Sequence, residues 1–247
     1  MNNQLPHDTI VPFKDSALTK KQQVATMFDN IAYRYDFMNR FLSVGVDVYW
    51  RKRALRELKN TPLNTVLDVA TGTADMAILI HKMLAPGSIT GVDLSEGMLE
   101  VGRKKVNKLG LSKNIRLVQG DSEKLMFADN SFDAITVAFG VRNYENLHQG
   151  LREMLRVLKP GGKLVVLEFS KPGKGFKVFY DLYMKYVAPG LGKIISKNRD
   201  AYQYLNDSVK AFPEGKDFLN ILQSAGYKKT YLKTLTLGIA TIYCAYK

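Results

Sequence analysis

The chain has 247 residues, 46% of them hydrophobic, which is enough apolar material for a packed core and excludes a disordered chain. Lysine and arginine total 36 against 23 acids, a formal charge of +13, which favours a polyanionic partner: nucleic acid or the anionic face of a membrane. One cysteine, Cys244, and three scattered histidines, His7, His81 and His148, exclude an internal disulfide, a cysteine zinc site and a histidine metal cluster.

The first residues are polar, include Pro6 and Asp8, and show no signal-peptide pattern. No apolar run reaches the length of a membrane span. These features predict a cytoplasmic protein that can touch the membrane from its inner face. Residues 1–20 read as a mobile N-terminal arm, and 21–247 as a single domain.

From Lys21 onward, Val24, Met27, Phe28, Ile31, Tyr35 and Met38 recur near helical spacing. A turn over 42–47 and a helix over 49–59 follow, so 21–60 reads as a helical lid ahead of the first strand. Its aromatics either pack on the sheet or wall a ligand. Tyr33, Tyr35, Asp36 and Asn39 have polar tips among apolar bodies and are the candidates for a ligand wall.

Thr65, Val66, Leu67, Asp68 and Val69 form a short β-branched run, the pattern of a buried parallel strand. Thr71-Gly72-Thr73 breaks it, and Asp75 opens an amphipathic helix over 76–84. Strand, small-residue turn and helix make the first half of a nucleotide-binding βαβ unit. Gly72 allows close approach to the backbone, and the helix start offers free N–H groups.

The second strand, 88–93, ends in Asp93, where an acid accepts bonds from two ribose hydroxyls. A dinucleotide fold would carry G-x-G-x-x-G to seat a pyrophosphate. Here the turn has one glycine and is flanked by Asp68 and Asp75, which suits a cationic ligand. S-adenosylmethionine carries an ammonium, a sulfonium and a ribose. The other reading of the acids is that they cap helices in an ordinary α/β unit.

A helix capped by Ser95 or Asp93 runs to about Leu109 and stops at Gly110. A third strand over 115–119 leads to Asp121 and Ser122. They are placed either to contact an adenine amino group or to cap a single helical turn. The fourth strand, 132–140, runs into Arg142 and Asn143, just past a strand end, where ligands bind in open parallel sheets. A helix over 149–158 is stopped by Pro160-Gly161-Gly162. The fifth strand spans 163–169, with Glu168 near its tip.

Residues 170–211 break the βα rhythm and read as a helical insertion, aromatic and basic, that lies either on lipid or over a greasy substrate. A last helix over 212–225 precedes two strands, 231–237 and 239–246, joined at Gly238 as an antiparallel hairpin. The predicted fold is α/β: a Rossmann-like, seven-strand, mostly parallel sheet with a C-terminal β-hairpin.

The stretch 28–36 followed by Asn39, the turn 66–75, Gly91 to Ser95, Phe139-Gly140-Val141-Arg142-Asn143 and the run 158–162 together resemble the class I S-adenosylmethionine-dependent methyltransferases. More narrowly they resemble the ubiquinone/menaquinone biosynthesis C-methyltransferase family, and within it the demethylmenaquinone methyltransferases. The resemblance covers nearly the whole chain after about residue 22. It implies cofactor contacts at Thr73, Asp93, Asp121 and Ser122, beside Gly72 and Asp68 of the turn. Where that family often has a serine before Phe-Gly, this chain has Ala138, and Thr71 and Ala74 stand where its turn often carries a second glycine.

The resemblance also implies methyl transfer to a ring carbon of a reduced, prenylated naphthoquinol, with ubiquinone precursors as further acceptors in dual enzymes and nucleic acid not expected as a substrate. Arg142 is the candidate to stabilise the developing phenolate. Asn143, Tyr33, Tyr35 and Asp36 are candidates to orient the ring or relay a proton, with His148 as an alternative. No metal is expected. The oligomeric state, monomer or homodimer, stays open.

Overall fold

A computed structural model of the chain describes residues 5–43, 45–59, 61, 63–171 and 199–247. Two helices come first, α1 (Lys20–Leu42) and α2 (Val46–Arg56). Then β1 (Thr65–Val69), α3 (Asp75–Leu84), β2 (Ser88–Asp93), α4 (Glu96–Lys108), β3 (Ile115–Gln119) and β4 (Phe132–Ala138) alternate as expected. The chain continues through α5 (Leu147–Val157), β5 (Leu158–Phe169), α6 (Arg199–Ala211), α7 (Lys216–Ser224), β6 (Lys228–Leu235) and β7 (Ala240–Tyr246).

The sheet order is β3-β2-β1-β4-β5-β7-β6. All neighbours are parallel except β7, which runs antiparallel to both β5 and β6. The strands alternate sides. Val66, Ile89, Ala134 and Val165 face α2, α3 and α4, packing on Leu55, Ile80 and Leu99. Leu67, Ile135, Val137 and Val166 face the other way, onto Leu147, Leu151, Met154 and Phe218. Burial on both faces explains why these strands read as continuous apolar runs.

The chain leaves β1 toward β2 and β3, then returns to place β4 on the other side of β1. That reversal opens a crevice at the carboxyl ends of β1 and β4, the usual ligand position in such sheets.

Three expectations need correction. Residues 5–19 are not a free arm: Pro6–Thr9 form a 3-10 helix, His7 is fully buried, and its ring meets Phe212 edge-on at 5.3 Å. The strand β5 begins at Leu158, because that residue already pairs with Phe132 across a register shift. The last helix starts at Lys216, after Pro213 and a left-handed Gly215. Of the predicted insertion, residues 172–198 lie outside the described residues, and 199–211 form α6.

Candidate active site

The first strand-to-helix turn is tightly wound. Ala70, Gly72 and Ala74 all have left-handed backbone, with φ of 53°, 55° and 64°. Glycine adopts this freely; for each alanine it costs about 1–2 kcal/mol, and such strain gathers at ligand-binding turns. Asp68 holds the turn from beneath, accepting from Thr71 and Thr136 hydroxyls at 2.6 Å each. Burial pushes its carboxyl up to about 6, opposed by those two hydroxyls.

At the tip of β2, Asp93 accepts from Gly72 N–H at 2.8 Å and Ser95 N–H at 2.9 Å, one on each oxygen. Burial raises its carboxyl to about 6, while those N–H groups act to lower it. Ser95 caps α4 by accepting from Met98 N–H, and its own hydroxyl donates to Asp29 of α1 at 2.6 Å. Asp29 also accepts from Gly97 N–H at 2.9 Å. The lid helix is thereby fastened to the second strand tip.

At the tip of β4, Phe139 has φ of 60°, a strained value for a large side chain. Gly140 follows, and a Cβ there would lie 2.5 Å from the Ala70 Cβ. Only glycine lets the β4 tip come this close to β1. The Phe139 carbonyl is gripped by Arg142, at 2.5 Å, and by Asn143. Arg142 is buried and pairs with the fully buried Glu168 of β5 at 2.8 Å. Burial raises the Glu168 carboxyl, and the Arg142 charge opposes that rise.

These tips surround a cavity that opens to solvent. Gly72, Asp93 and Ser122 line it on the sheet side, and Asn143 lines it at the end of β4. Tyr35, Phe28, Val24 and Lys21 of α1 form the opposite wall. Leu94 and Met98 add an apolar flank beside Asp93, and Ala138, Phe139 and Gly140 complete the floor.

Five predicted residues therefore meet at one cavity: Tyr35, Gly72, Asp93, Ser122 and Asn143. The other five sit around it. Asp68 lies under the turn, as above. The Thr73 hydroxyl donates to Asp36 at 2.5 Å, and Asp36 also holds Lys105 at 2.8 Å. Asp121 accepts from Lys21 at 2.6 Å. Arg142 stands behind the β4 tip. Tyr33 is 75% exposed, with the Lys104 ammonium over its ring, and is no part of a ligand wall. Asp75 pairs with Arg40 and Lys105, so its charge is spent within the fold and does not face a ligand.

Sequence reasoning missed Lys21, Val24 and Phe28 as cavity residues. Their helical spacing carried a signal for one face, but not for what that face meets. It also missed Tyr144, whose ring fills space a Cβ on Gly150 would occupy and whose hydroxyl is buried near Ser122.

S-adenosylmethionine fits this set of groups. Each Asp93 oxygen uses one lone pair on a backbone N–H and keeps another for a ribose hydroxyl. Ser122 and the apolar side chains of Leu94 and Met98 suit a base edge and its faces.

Residues 16–247 match the ubiE/COQ5 methyltransferase family. A demethylmenaquinone methyltransferase of Bacteroides fragilis is 47% identical over 98% of this chain and 99% of its own. A ubiquinone/menaquinone biosynthesis C-methyltransferase UbiE of Geotalea daltonii is 46% identical over 93% of this chain and 99% of its own. Among solved structures, a SAM dependent methyltransferase of Aquifex aeolicus superposes with a TM-score of 0.57 at 23% identity, covering 79% of this chain and 88% of that one. With the family matched from residue 16 onward and its fold in place, this chain belongs to the ubiE/COQ5 methyltransferase family.

Proposed function

We propose that the chain is an S-adenosylmethionine-dependent C-methyltransferase that converts a demethylmenaquinol to the menaquinol. The observation that carries this reading is the near-full-length likeness to the Bacteroides fragilis demethylmenaquinone methyltransferase. The test is methyl transfer from labelled cofactor to a reduced demethylmenaquinone, with RNA as control acceptor. Label in the quinone is expected; label in RNA alone would overturn the reading. Dual action on ubiquinone precursors is a second reading, supported by the name of the Geotalea daltonii relative. A prenylated benzoquinol that lacks its ring methyl, added to the same acceptor panel, decides it.

When bound, the cofactor supplies an electrophilic methyl group on a sulfonium. Asp93 would hold its ribose through the free lone pairs, and Ser122 would meet the base, with Asp121 beside it held by Lys21. Gly72 lets the backbone approach. On the acceptor side, a ring hydroxyl gives its proton to water, negative charge spreads to the neighbouring ring carbon, and that carbon's own proton leaves to solvent once it carries the methyl. Arg142 and Asn143 stabilise the oxygen that loses the proton. Tyr35 and Phe28 close the wall over both ligands and exclude water. Asp36 is held by Thr73 and Lys105, so it positions the turn and does not take the ring proton.

Two ribose hydroxyls donate to an ionised Asp93, yet burial holds that carboxyl at about 6 before the ligand arrives. Cofactor affinity is expected to hold above that pH and to fall below it, by up to about tenfold per unit. Calorimetry with S-adenosylhomocysteine across this range reads it, and a flat profile would count against the ribose role. The same shift has an opposite sign for folding. Asp68 and Asp93 bind protons more tightly folded than at their ordinary 3.8. Their contribution to stability therefore declines as pH rises from about 4 to about 6.

A prenylated acceptor resides in the bilayer. Among the described residues no helix is long and apolar enough to cross a membrane. The charge of +13 and the exposed Tyr33 and Tyr49 on the N-terminal helices support peripheral contact with anionic lipid. Flotation with anionic but not neutral vesicles is expected, reversed by added salt; equal recovery with both would sink it.

A further inference from the structure

We infer that Tyr204 is a substrate contact: its hydroxyl, with Arg142 Nε and Asn143 Oδ1, forms a polar triad that recognises a ring hydroxyl of a reduced quinone. This rests on the C-methyltransferase reading above and adds to it a residue from outside the strand tips.

The side chains of Tyr204 and Arg142 are almost completely buried, at 3% and 4% exposure. The Tyr204 hydroxyl, the Arg142 Nε and the Asn143 Oδ1 are each shielded from solvent and have no hydrogen-bond partner among the described residues. Buried polar atoms are nearly always satisfied, so three in one place call for a missing partner. They do share one place. Helix α6 packs against the turn Val141–Asn143. The Tyr204 hydroxyl is close enough to feel the charges of both Arg142 and Glu168.

Asn143 lines the cavity, and Tyr204 and Arg142 stand behind that lining. The Tyr204 ring packs with Val24, Met27 and Phe28 of α1. Val24 and Phe28 line the cavity together with Asn143. Tyr204 thus stands between the lid helix and the β4 tip. The cofactor's ribose is taken by the β2 tip, so this end is left for the acceptor.

The three atoms match one phenolic oxygen. Arginine Nε–H only donates, an amide oxygen only accepts, and a tyrosine hydroxyl does either. A protonated ring oxygen gives its hydrogen to Asn143 Oδ1 and accepts from the other two. Once that proton leaves, Arg142 and Tyr204 both donate to the anion. An oxidised quinone carbonyl cannot satisfy Asn143, so the triad favours the reduced ring.

Tyr204→Phe keeps the ring against Val24 and Met27 and removes only the hydroxyl. With reduced demethylmenaquinone, kcat/KM is expected to fall about tenfold to about a hundredfold, the range for one hydrogen bond to a developing charge. Affinity for S-adenosylhomocysteine should not change. The acidic limb of the kcat profile should move to higher pH by about one unit, because the phenolate has lost a donor. A purely structural tyrosine would not move that limb. The limb's position is independent of the active fraction, so it decides the matter even where the variant melts early. A limb that stays in place, with kcat/KM within about twofold, would overturn the role of Tyr204. No methyl transfer by the unsubstituted protein would instead sink the underlying reading.

Discussion

Arg142→Ala will lose stability and turnover together, and the two losses can be separated. In the folded chain the guanidinium donates to the Phe139 carbonyl at 2.5 Å and to Glu168 at 2.8 Å. Glu168 is fully buried. Removing its counter-charge leaves an uncompensated carboxylate, which costs about 3–5 kcal/mol. The variant escapes part of that cost by protonating Glu168. Its folded-state pKa, already raised by burial, rises further, so the penalty deepens as pH rises. Denaturant unfolding should show a larger deficit in mild alkali than in mild acid. Turnover should drop by about a hundredfold to a thousandfold, the usual effect of removing a donor to a developing oxyanion.

The double variant Arg142→Met, Glu168→Leu resolves the two effects. Replacing a buried ion pair by apolar side chains of similar size is often neutral or stabilising. Melting should recover while methyl transfer stays low. Recovery of both would mean that Arg142 is only a brace for the Phe139 turn.

Asp93→Ala will lose the cofactor. Two charge-assisted hydrogen bonds to ribose hydroxyls are worth about 1.5–3 kcal/mol each, so affinity should weaken by more than about a hundredfold. The Gly72 and Ser95 N–H groups also lose their acceptor, which loosens the turn that seats the ligand. Asp93→Asn keeps the shape and one acceptor and should fall between the two. Folding should suffer little, because burying this carboxylate was itself unfavourable. Titration with S-adenosylhomocysteine gives the affinity, and near-normal binding by Asp93→Ala would remove the ribose assignment.

The parts of the fold that sequence reveals are those made by local pattern. Val66, Leu67 and Val69, or Ile135 and Val137, announce a strand covered on both faces, and Ser95 and Gly110 bracket a helix. The first two strand tips were readable for the same reason: Gly72 and Asp93 sit where strand periodicity ends. The rest depends on partners far along the chain. Nothing near His7 signals that Phe212 will cover it. Nothing near Asp75 or Asp36 shows that Lys105 will hold both. Arg142 stands where an exposed catalytic cation would stand, yet Glu168 draws it inward. Tyr204 looks like any helical aromatic until α6 is laid beside the β4 turn.

The order of the last two strands bears on how the chain is made. In the sheet β7 lies between β5 and β6, although it follows both in sequence. Among the described residues strand β6 has no neighbour except β7. A nascent polypeptide emerging from the ribosome through Leu235 therefore holds a strand with nowhere to dock and an open β5 margin, both prone to pair with other chains. Residues 240–246 close both at once by sliding into the gap, and Trp50 then secures the connecting turn through its bond to Thr236. Closure of the native sheet is thus a single late event that waits on β7.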